Sequence, residues 1–352
     1  ATGYKALYSN TTASNNTATG YQALYVNTTG TQNVAVGALA LDSNTTGNNN
    51  TAVGMRALDV NTTGSSNTGV GADVLGANTT GASNVAVGYE SLKANSTGNY
   101  NIAIGRSALL TCSTASDTVA IGYTALTLAT GGRNTAVGSL AGDSVTTGNG
   151  SVFIGYDCAA YANNTTTGAD NVYIGAFARG SSATVNNEIA IGRYVLGQGT
   201  DTATIGINGN GATISIDGSD TSWAAHSDER LKENITTSTA GLSFVNDLRP
   251  VTYNWKAKNT ISEDFTHYYD ADSTAPVNGV AGKTYHGFVA QEMKATIDAH
   301  TEVENGNNLW AERVDDIQQL APSNLVPMLV KAIQELSTKN DALVARITAL
   351  EG

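Results

Sequence analysis

Glycine recurs along the first part of the chain at a fixed interval of 17 residues. Most copies close a short Asn-x-Ala-x-Gly pattern, and less regular steps of 14 to 20 residues follow the uninterrupted series. Self-similarity of this kind is typical of stacked supersecondary units, so residues 1–206 predict a repetitive β shaft. The repeat glycines are Gly3, Gly20, Gly37, Gly54, Gly71, Gly88, Gly105, Gly122, Gly138, Gly155, Gly175, Gly192 and Gly206.

One repeat shows what each part of the unit can form. Val34, Ala35 and Val36 are small or β-branched and predict a short strand. The glycine that follows permits a positive φ or a close backbone approach, so the chain can turn a corner there. An Ala-Leu pair follows three positions later, and Asn44-Thr-Thr-Gly47 supplies turn chemistry. Each unit therefore predicts one or two short strands.

The thin interior of such a coil favours an oligomer. Ordering the backbone costs about 1–2 kcal/mol per residue, and an interior of mostly Ala, Val and Leu recovers little of that in a single narrow coil. Stacking helps along the axis, and three coils packed around a common axis would close the remaining apolar face. We therefore expect a long homotrimer, mainly β.

Alternative roles for the repeats are a monomeric solenoid that is antifreeze-like or binds calcium. Calcium repeats need a regular Gly-Gly-x-Gly-x-Asp pattern, which Asp42, Asp59, Asp73 and Glu90 do not follow. The recurring Asn-x-Thr is formally a glycosylation sequon, but within so regular a repeat we favour turn chemistry as its explanation. These acids also look isolated, so a glycosidase with paired carboxylates is not expected in the shaft.

Composition divides the chain near residues 220–227. Residues 1–226 carry 7 Lys or Arg and 12 Asp or Glu, while residues 227–352 carry 11 and 18, together with all four prolines. The net charge of −12 disfavours nucleic acid, and no apolar run is long enough for a membrane span. Ala1 lies inside a repeat, so we expect this sequence to be a fragment of a longer protein. Cys112 and Cys158 occupy different repeat positions and are expected to be reduced, and no zinc-ligand spacing occurs, so we predict no metal or cofactor.

The second part contains an ordered set of short motifs. The sequence Ser227-Asp-Glu-Arg-Leu-Lys232 is followed by Leu248-Arg-Pro-Val251, then Gly287-Phe-Val-Ala-Gln-Glu292, and finally Leu325-Val-Pro327. Taken locally, the first motif is a plausible helix start with an N-cap and acidic residues in its first turn. The combination resembles the C-terminal intramolecular chaperone domain of phage endosialidases, tail fibres and tailspikes. The shaft repeat is similar to head repeats of trimeric autotransporter adhesins.

The resemblance implies a domain that trimerises, templates folding of the shaft and is released by autoproteolysis beside the serine. Ser227 matches the nucleophile and Lys232 suits the base, because a Ser–Lys pair is a known variant of nucleophile and base. We expect cleavage of the His226–Ser227 bond. Asp228 and Arg230 match the motif and orient the dyad or hold the fold, Arg230 being equally suited to a trimer salt bridge. His226 is a candidate acid, and Gln291 matches the motif without a definite role.

The last stretch of the chain is a heptad repeat. Apolar residues alternate at steps of three and four, which predicts a coiled coil over residues 326–350. Asn340 and β-branched residues at one position favour two strands, whereas the shaft and the resemblance favour three, and we expect three. The core positions are Val326, Leu329, Ile333, Leu336, Asn340, Leu343, Ile347 and Leu350.

These features predict three parts: a trimeric β-roll shaft (1–206), a neck or linker hairpin (207–226) and an α+β chaperone domain (227–352). The expected function is that of a distal tail-fibre or tailspike segment on the virion, assembled in the host cytoplasm and attaching to a host-surface glycan or protein. Its other partners would be two further copies of itself and upstream tail proteins. Self-cleavage would make it a single-turnover serine endopeptidase. The alternative is a trimeric bacterial surface adhesin with a non-cleaving trimerisation domain.

Overall fold

A computed structural model describes residues 1–160, 166–217, 224–225, 229, 233–263, 269–303, 309–312 and 318–351. The chain divides into two compact units, Ala1–Asp228 and Glu229–Gly352. The first is mainly β and the second contains the helices.

The first unit is a β-solenoid of about 11 turns, which confirms the predicted repetitive β shaft. Each turn contributes one strand, and each strand pairs in parallel with the equivalent strand of the next turn, as Thr17 does with Val34. The strands are β1 (Thr17–Thr19), β2 (Val34–Val36), β3 (Thr51–Val53), β4 (Thr68–Val70), β5 (Val85–Val87), β6 (Ile102–Ile104), β7 (Val119–Ile121), β8 (Thr135–Val137), β9 (Val152–Ile154), β10 (Val172–Ile174), β11 (Ile189–Ile191) and β12 (Thr202–Ile207).

A corner glycine ends each of the short strands, for the two reasons that the sequence predicts. Gly54 has a φ of 139°, which a residue with a side chain rarely adopts. A Cβ added there would lie 2.2 Å from the carbonyl oxygen of Gly71 in the next turn. Both the turn and the tight stacking of turns therefore require glycine at this position.

The interior of the shaft contains small strand residues and a column of leucines. The middle residue of each strand points inward, and Ala35 and Ala52 are fully buried. The leucine four positions after the corner glycine is also fully buried, and each such leucine contributes about 1.5–3 kcal/mol. Gly142 takes this position in one turn, and there the ring of Phe153 fills the space.

The leucines adopt a backbone conformation that the sequence does not predict. Leu58 has a φ of 54°, and the leucines of the other regular turns lie close to this value. The left-handed region costs an ordinary residue about 1–2 kcal/mol. Burial offsets this cost, and so does the backbone bond from Leu58 N to Val74 O at 3.0 Å. The segment of each turn that contains the leucine is therefore held by hydrogen bonds to the next turn.

Two columns of buried asparagines run through the shaft. In the first, the side-chain amide of each asparagine donates to the side-chain oxygen of the asparagine one turn earlier and to a glycine carbonyl, as Asn61 does to Asn44 (2.9 Å) and Gly64 (3.0 Å). In the second, each side-chain oxygen accepts a backbone N–H from the next turn, as Asn50 does from Asn67 (3.0 Å). The two ladders comprise Asn27, Asn44, Asn61, Asn78 and Asn95, and Asn33, Asn50, Asn67, Asn84 and Asn101.

The first ladder shows what the asparagines of the Asn-x-Thr sequons do in the structure. The asparagine side chains of the first ladder are fully buried and hydrogen-bonded, so they are inaccessible for glycosylation and act as turn chemistry, as expected. The ladder ends where Cys112 takes the asparagine position, which leaves the Oδ1 atom of Asn95 buried without a partner. Both cysteines are free thiols, and burial raises the pKa of Cys112 to about 11 and that of Cys158 to about 12.

The parallel stack ends in antiparallel strands. β12 reverses into β13 (Asn210–Ser215), which pairs with β14 (Ala224–Ala225). In the last turns, Glu188 replaces the asparagine of the second ladder and is fully buried. Its carboxylate accepts hydrogen bonds from the Tyr173 hydroxyl (2.9 Å) and from the backbone N–H groups of Ser181 (3.1 Å) and Gly199 (2.7 Å).

The second unit is a small α+β assembly. Its helices are α1 (Leu242–Asp247), α2 (Ala290–Ala299) and α3 (Val326–Glu351), and its strand pairs are β15 (Val251–Tyr253) with β16 (Tyr285–Gly287) and β17 (Trp310–Glu312) with β18 (Gln318–Leu320). Short 3-10 helices span Lys258–Thr260 and Pro322–Leu325. The buried core consists of Ala240, Phe244, Met293, Ile297, Val303, Leu309 and Leu325. Among the described helices, none is long and apolar enough to cross a membrane.

Candidate functional site

The residues predicted to carry self-cleavage fall almost entirely outside the described residues. These are Ser227 and Lys232, the supporting His226, Asp228 and Arg230, and the His226–Ser227 bond. Gln291 is described and lies exposed in the first turn of α2. The dyad and the supporting roles therefore stay predictions.

Two of the sequence motifs meet in the second unit. Val251 in β15 pairs with Gly287 in β16, which joins the segment around Leu248–Val251 to the segment Gly287–Glu292. The Arg249 guanidinium donates two hydrogen bonds to the Glu292 carboxylate, with its Nε 2.9 Å from Oε2. These bonds hold the pKa of Glu292 below its usual value. The motifs therefore share one local structure, although the chain between them is long.

A histidine flanked by two carboxylates lies at the end of α2, and sequence reasoning missed it. His300 Nε2 is 2.8 Å from Asp247 Oδ2, and His300 Nδ1 is 2.8 Å from Glu302 Oε1. Its ring packs edge-on against Phe244 in the core. The hydrogen bonds to Glu302 and Asp247 raise the pKa of His300.

Two carboxylate partners fix the protonation state of this histidine. A carboxylate only accepts hydrogen bonds, so both contacts are satisfied when both ring nitrogens of His300 donate, and the arrangement favours the cationic ring. A cationic ring has no free nitrogen to act as a base. His300 therefore ties the end of α1 to the segment after α2. Nothing in the sequence signalled the contact between His300 and Asp247, because these two residues lie 53 positions apart.

The predicted coiled-coil residues form an exposed apolar stripe on a single helix. We call Val326, Leu329, Ile333, Leu336, Leu343, Ile347 and Leu350 the heptad stripe. Their exposure ranges from 40% at Leu329 to 85% at Leu350, and Asn340 is exposed in the same series. The helix confirms the predicted local structure. The other strands of the coiled coil stay a prediction.

The shaft also presents an exposed face without charge. The first and third residues of strands β1 to β11 point outward, and all of them are Thr, Val or Ile. Ile104, Val137 and Ile154 are each more than a third exposed. We call these outward positions the strand face. An apolar strip that continues over so many turns marks an interaction surface.

The acids of the shaft are not isolated, which corrects the expectation from the sequence. Asp42 and Asp59 lie one repeat apart, and so do Asp73 and Glu90, so that stacking places them in adjacent turns. Asp59 and Asp73 line one groove, and the pKa of Asp59 is raised mainly by burial and to a smaller extent by the nearby Asp73 carboxylate. Within the described ranges, no group of three His, Cys, Asp or Glu residues could hold a metal ion.

Comparison with known proteins identifies the start of the second unit. Residues 227–302 match the family model described as chaperone of endosialidase, the Peptidase_S74 family. This family implies self-cleaving intramolecular chaperone activity. Neither the curated proteins nor the solved structures gave a match to the chain. The match and a β-solenoid with 17-residue spacing together fit a tail fibre or tailspike with a C-terminal chaperone domain.

Proposed function

We propose that this chain is the distal part of a homotrimeric phage tail fibre or tailspike that attaches the virion to a host surface. The second unit brings three chains together, sets their register and templates the shaft. It is then released by a single self-cleavage next to Ser227. The observation that carries the proposal is the chaperone-of-endosialidase match, which begins at residue 227, where the repetitive shaft has ended.

Two surfaces support a trimer. The heptad stripe is apolar over the length of α3, and exposed apolar stripes at this spacing are covered in coiled coils. The strand face offers an independent surface of the same character in the shaft. Three copies that pack their strand faces together in the shaft, and their heptad stripes together at α3, would remove both surfaces from water, at a gain of about 25 cal/mol per Å² of apolar area.

The repeat explains why a template is needed. A 17-residue unit can pair with the wrong turn of a neighbouring chain at little local cost, because successive turns resemble one another. Associating the chains first at α3 would fix the register before the shaft closes. Removing the template afterwards would leave the assembled shaft kinetically trapped.

The proposed cleavage uses Ser227 and Lys232. Lys232, acting in its neutral form, removes the proton from the Ser227 hydroxyl, Oγ attacks the carbonyl carbon of His226, and the protonated Lys232 gives a proton to the departing amine. The peptide C–N bond breaks and leaves an ester at Oγ with a free amine at Ser227. Water then hydrolyses the ester to give a carboxylate at His226.

Mass spectrometry of the freshly expressed protein tests this proposal. We expect two fragments, residues 1–226 and 227–352, from the unchanged chain. Ser227→Ala and Lys232→Ala should each give one full-length product that still forms folded trimers resistant to SDS. Normal cleavage in either variant would rule out the dyad. Intact unchanged protein would favour the alternative, a trimeric surface adhesin whose trimerisation domain does not cleave.

A further inference from the structure

Four charged side chains of the shaft, Arg56, Asp59, Asp73 and Lys93, line a groove of about 510 Å³. Asp59 and Lys93 both line it, and both occupy the fifth position after a corner glycine. Gly76 holds the same position in the turn between them. The turns of Asp59 and Lys93 are therefore about 9.6 Å apart, twice the spacing of neighbouring strands, with no side chain between them.

The backbone φ at Gly76 does not require glycine, because it is not in the left-handed region. A Cβ added at Gly76 would make a tight contact of 3.3 Å with the Asp73 carbonyl oxygen and lie 3.8 Å from Asp59 Oδ1. Larger residues, Tyr25 and Leu110, occupy the same repeat position in other turns. Because Gly76 has no side chain, the groove has an open space at this position, directly beside the Asp59 carboxylate.

Charges of both signs line the gap. Arg56 Nη2 lies 2.6 Å from Asp73 Oδ1, and their side chains are 48% and 11% exposed. Lys93 is paired with Glu90 at 2.6 Å and keeps 45% of its side chain exposed. Asp59 is half-buried, and burial raises its pKa. A ligand with net charge of either sign would be attracted by one part of the lining and repelled by another, which favours a neutral ligand.

The rest of the lining is small and largely apolar. Ala77, Ala94 and Leu110 contribute apolar surface, and Thr111 adds one hydroxyl. The volume falls within the range of about 300–1,000 Å³ that is usual for small-molecule sites. A saccharide ring has matching features: an apolar face, and hydroxyl groups that both donate to carboxylates and accept from cations.

We propose that this groove, which we call the charged groove, binds a neutral saccharide of the host surface. The proposal rests on the attachment function proposed above and supplies its receptor site. The groove uses the second, fifth and sixth positions after the corner glycines, whereas the strand face uses positions before them. Trimer formation through the strand face therefore requires none of the groove residues.

Filling the gap tests the proposal without changing any charge. Gly76→Leu places in the groove a side chain that the repeat carries at Leu110. Ala160→Leu makes a similar change at the same repeat position in another turn and serves as the control. Each protein, expressed from the whole sequence and purified in the form that expression yields, is applied to an immobilised array of neutral and acidic bacterial-surface oligosaccharides. Thermal unfolding and SDS resistance show whether each variant is folded.

We expect the unchanged protein and Ala160→Leu to bind the same neutral oligosaccharides, and Gly76→Leu to lose at least about tenfold in affinity. Asp59→Asn, which keeps the shape of the groove, should also weaken binding. Undiminished binding by folded Gly76→Leu would overturn the groove but leave attachment standing. Binding to acidic oligosaccharides alone, or to none on the array, would also overturn this assignment. Self-cleavage and trimer formation test the rest of the proposed function separately.

Discussion

Single residues of the shaft are constrained by contacts with the neighbouring turn more than by contacts within their own turn. The corner glycines face a glycine carbonyl one repeat later, and the asparagines of both ladders bond to partners about one repeat away. A change at one position therefore acts across at least two turns. The 17-residue period of the sequence therefore reflects contacts between equivalent residues of successive turns.

A comparison of two glycines tests this constraint. Gly54→Ala should destabilise the shaft by about 1–3 kcal/mol or more, because its φ is unfavourable for alanine and its Cβ would overlap the Gly71 carbonyl. Gly76→Ala should change stability by less than about 0.5 kcal/mol. Thermal unfolding of both variants is the measurement. Equal melting temperatures would contradict the role assigned to the corner glycines.

His300 gives the second unit a defined response to pH. Its pKa is raised in the folded state, so it adds stability that is complete below the ordinary histidine pKa of about 6.5 and is lost as pH rises through the higher folded-state value. Calorimetry of the Ser227→Ala protein should show the transition of the second unit falling in temperature at mildly alkaline pH. His300→Gln should remove this dependence, and an unchanged dependence in that variant would assign it to another group.

Elements differ in how far the sequence could predict them. The strands and corners followed from alternating small and β-branched residues and from glycine at a fixed step. The left-handed leucines did not, because the bonds that hold Leu58 come from other turns. The asparagine ladders carried a signal, since asparagine recurs at two positions of most repeats, but turn chemistry explained it equally well. His300 carried none.

The first ladder predicts a large effect from a very small change. Asn61→Asp keeps the shape of the side chain but removes the donor to Asn44 and Gly64 and places a carboxylate in a fully buried site. The cost should be about 2–4 kcal/mol, measured as the loss of shaft stability in denaturant. Asn99→Asp is the control, because Asn99 is only partly buried: its oxygen accepts from Ala82 N–H, which aspartate retains, and the one bond lost is an exposed one to the Thr97 carbonyl (3.1 Å). Similar losses in both variants would argue against the ladder.

The heptad stripe predicts separable effects on folding and assembly. Ile333→Asp and Leu336→Asp alter exposed positions, so the core of each chain should remain intact while association weakens. Thr338→Asp changes an exposed residue off the stripe and should leave association unchanged. Analytical ultracentrifugation during refolding distinguishes these outcomes. Association of Ile333→Asp at the normal rate would mean that α3 does not bring the chains together.

At the scale of the whole molecule, two differently built units carry surfaces that a single chain leaves exposed. The solenoid has an uncharged strand face, and α3 has an apolar stripe at heptad spacing. Each surface was foreseen from the sequence, since a narrow coil has too little interior and a heptad needs partners. The chaperone resemblance was confirmed by the family match over residues 227–302. Sequence spacing alone gave no view of the charged groove, whose lining comes from several successive turns.

The mass of the assembled protein in solution tests the central claim most directly. Ser227→Ala prevents the proposed cleavage, so light scattering on this variant measures intact chains of 36.1 kDa each. The proposed assembly predicts a particle of three chains that stays whole on dilution. A well-folded particle with the mass of one chain would contradict it.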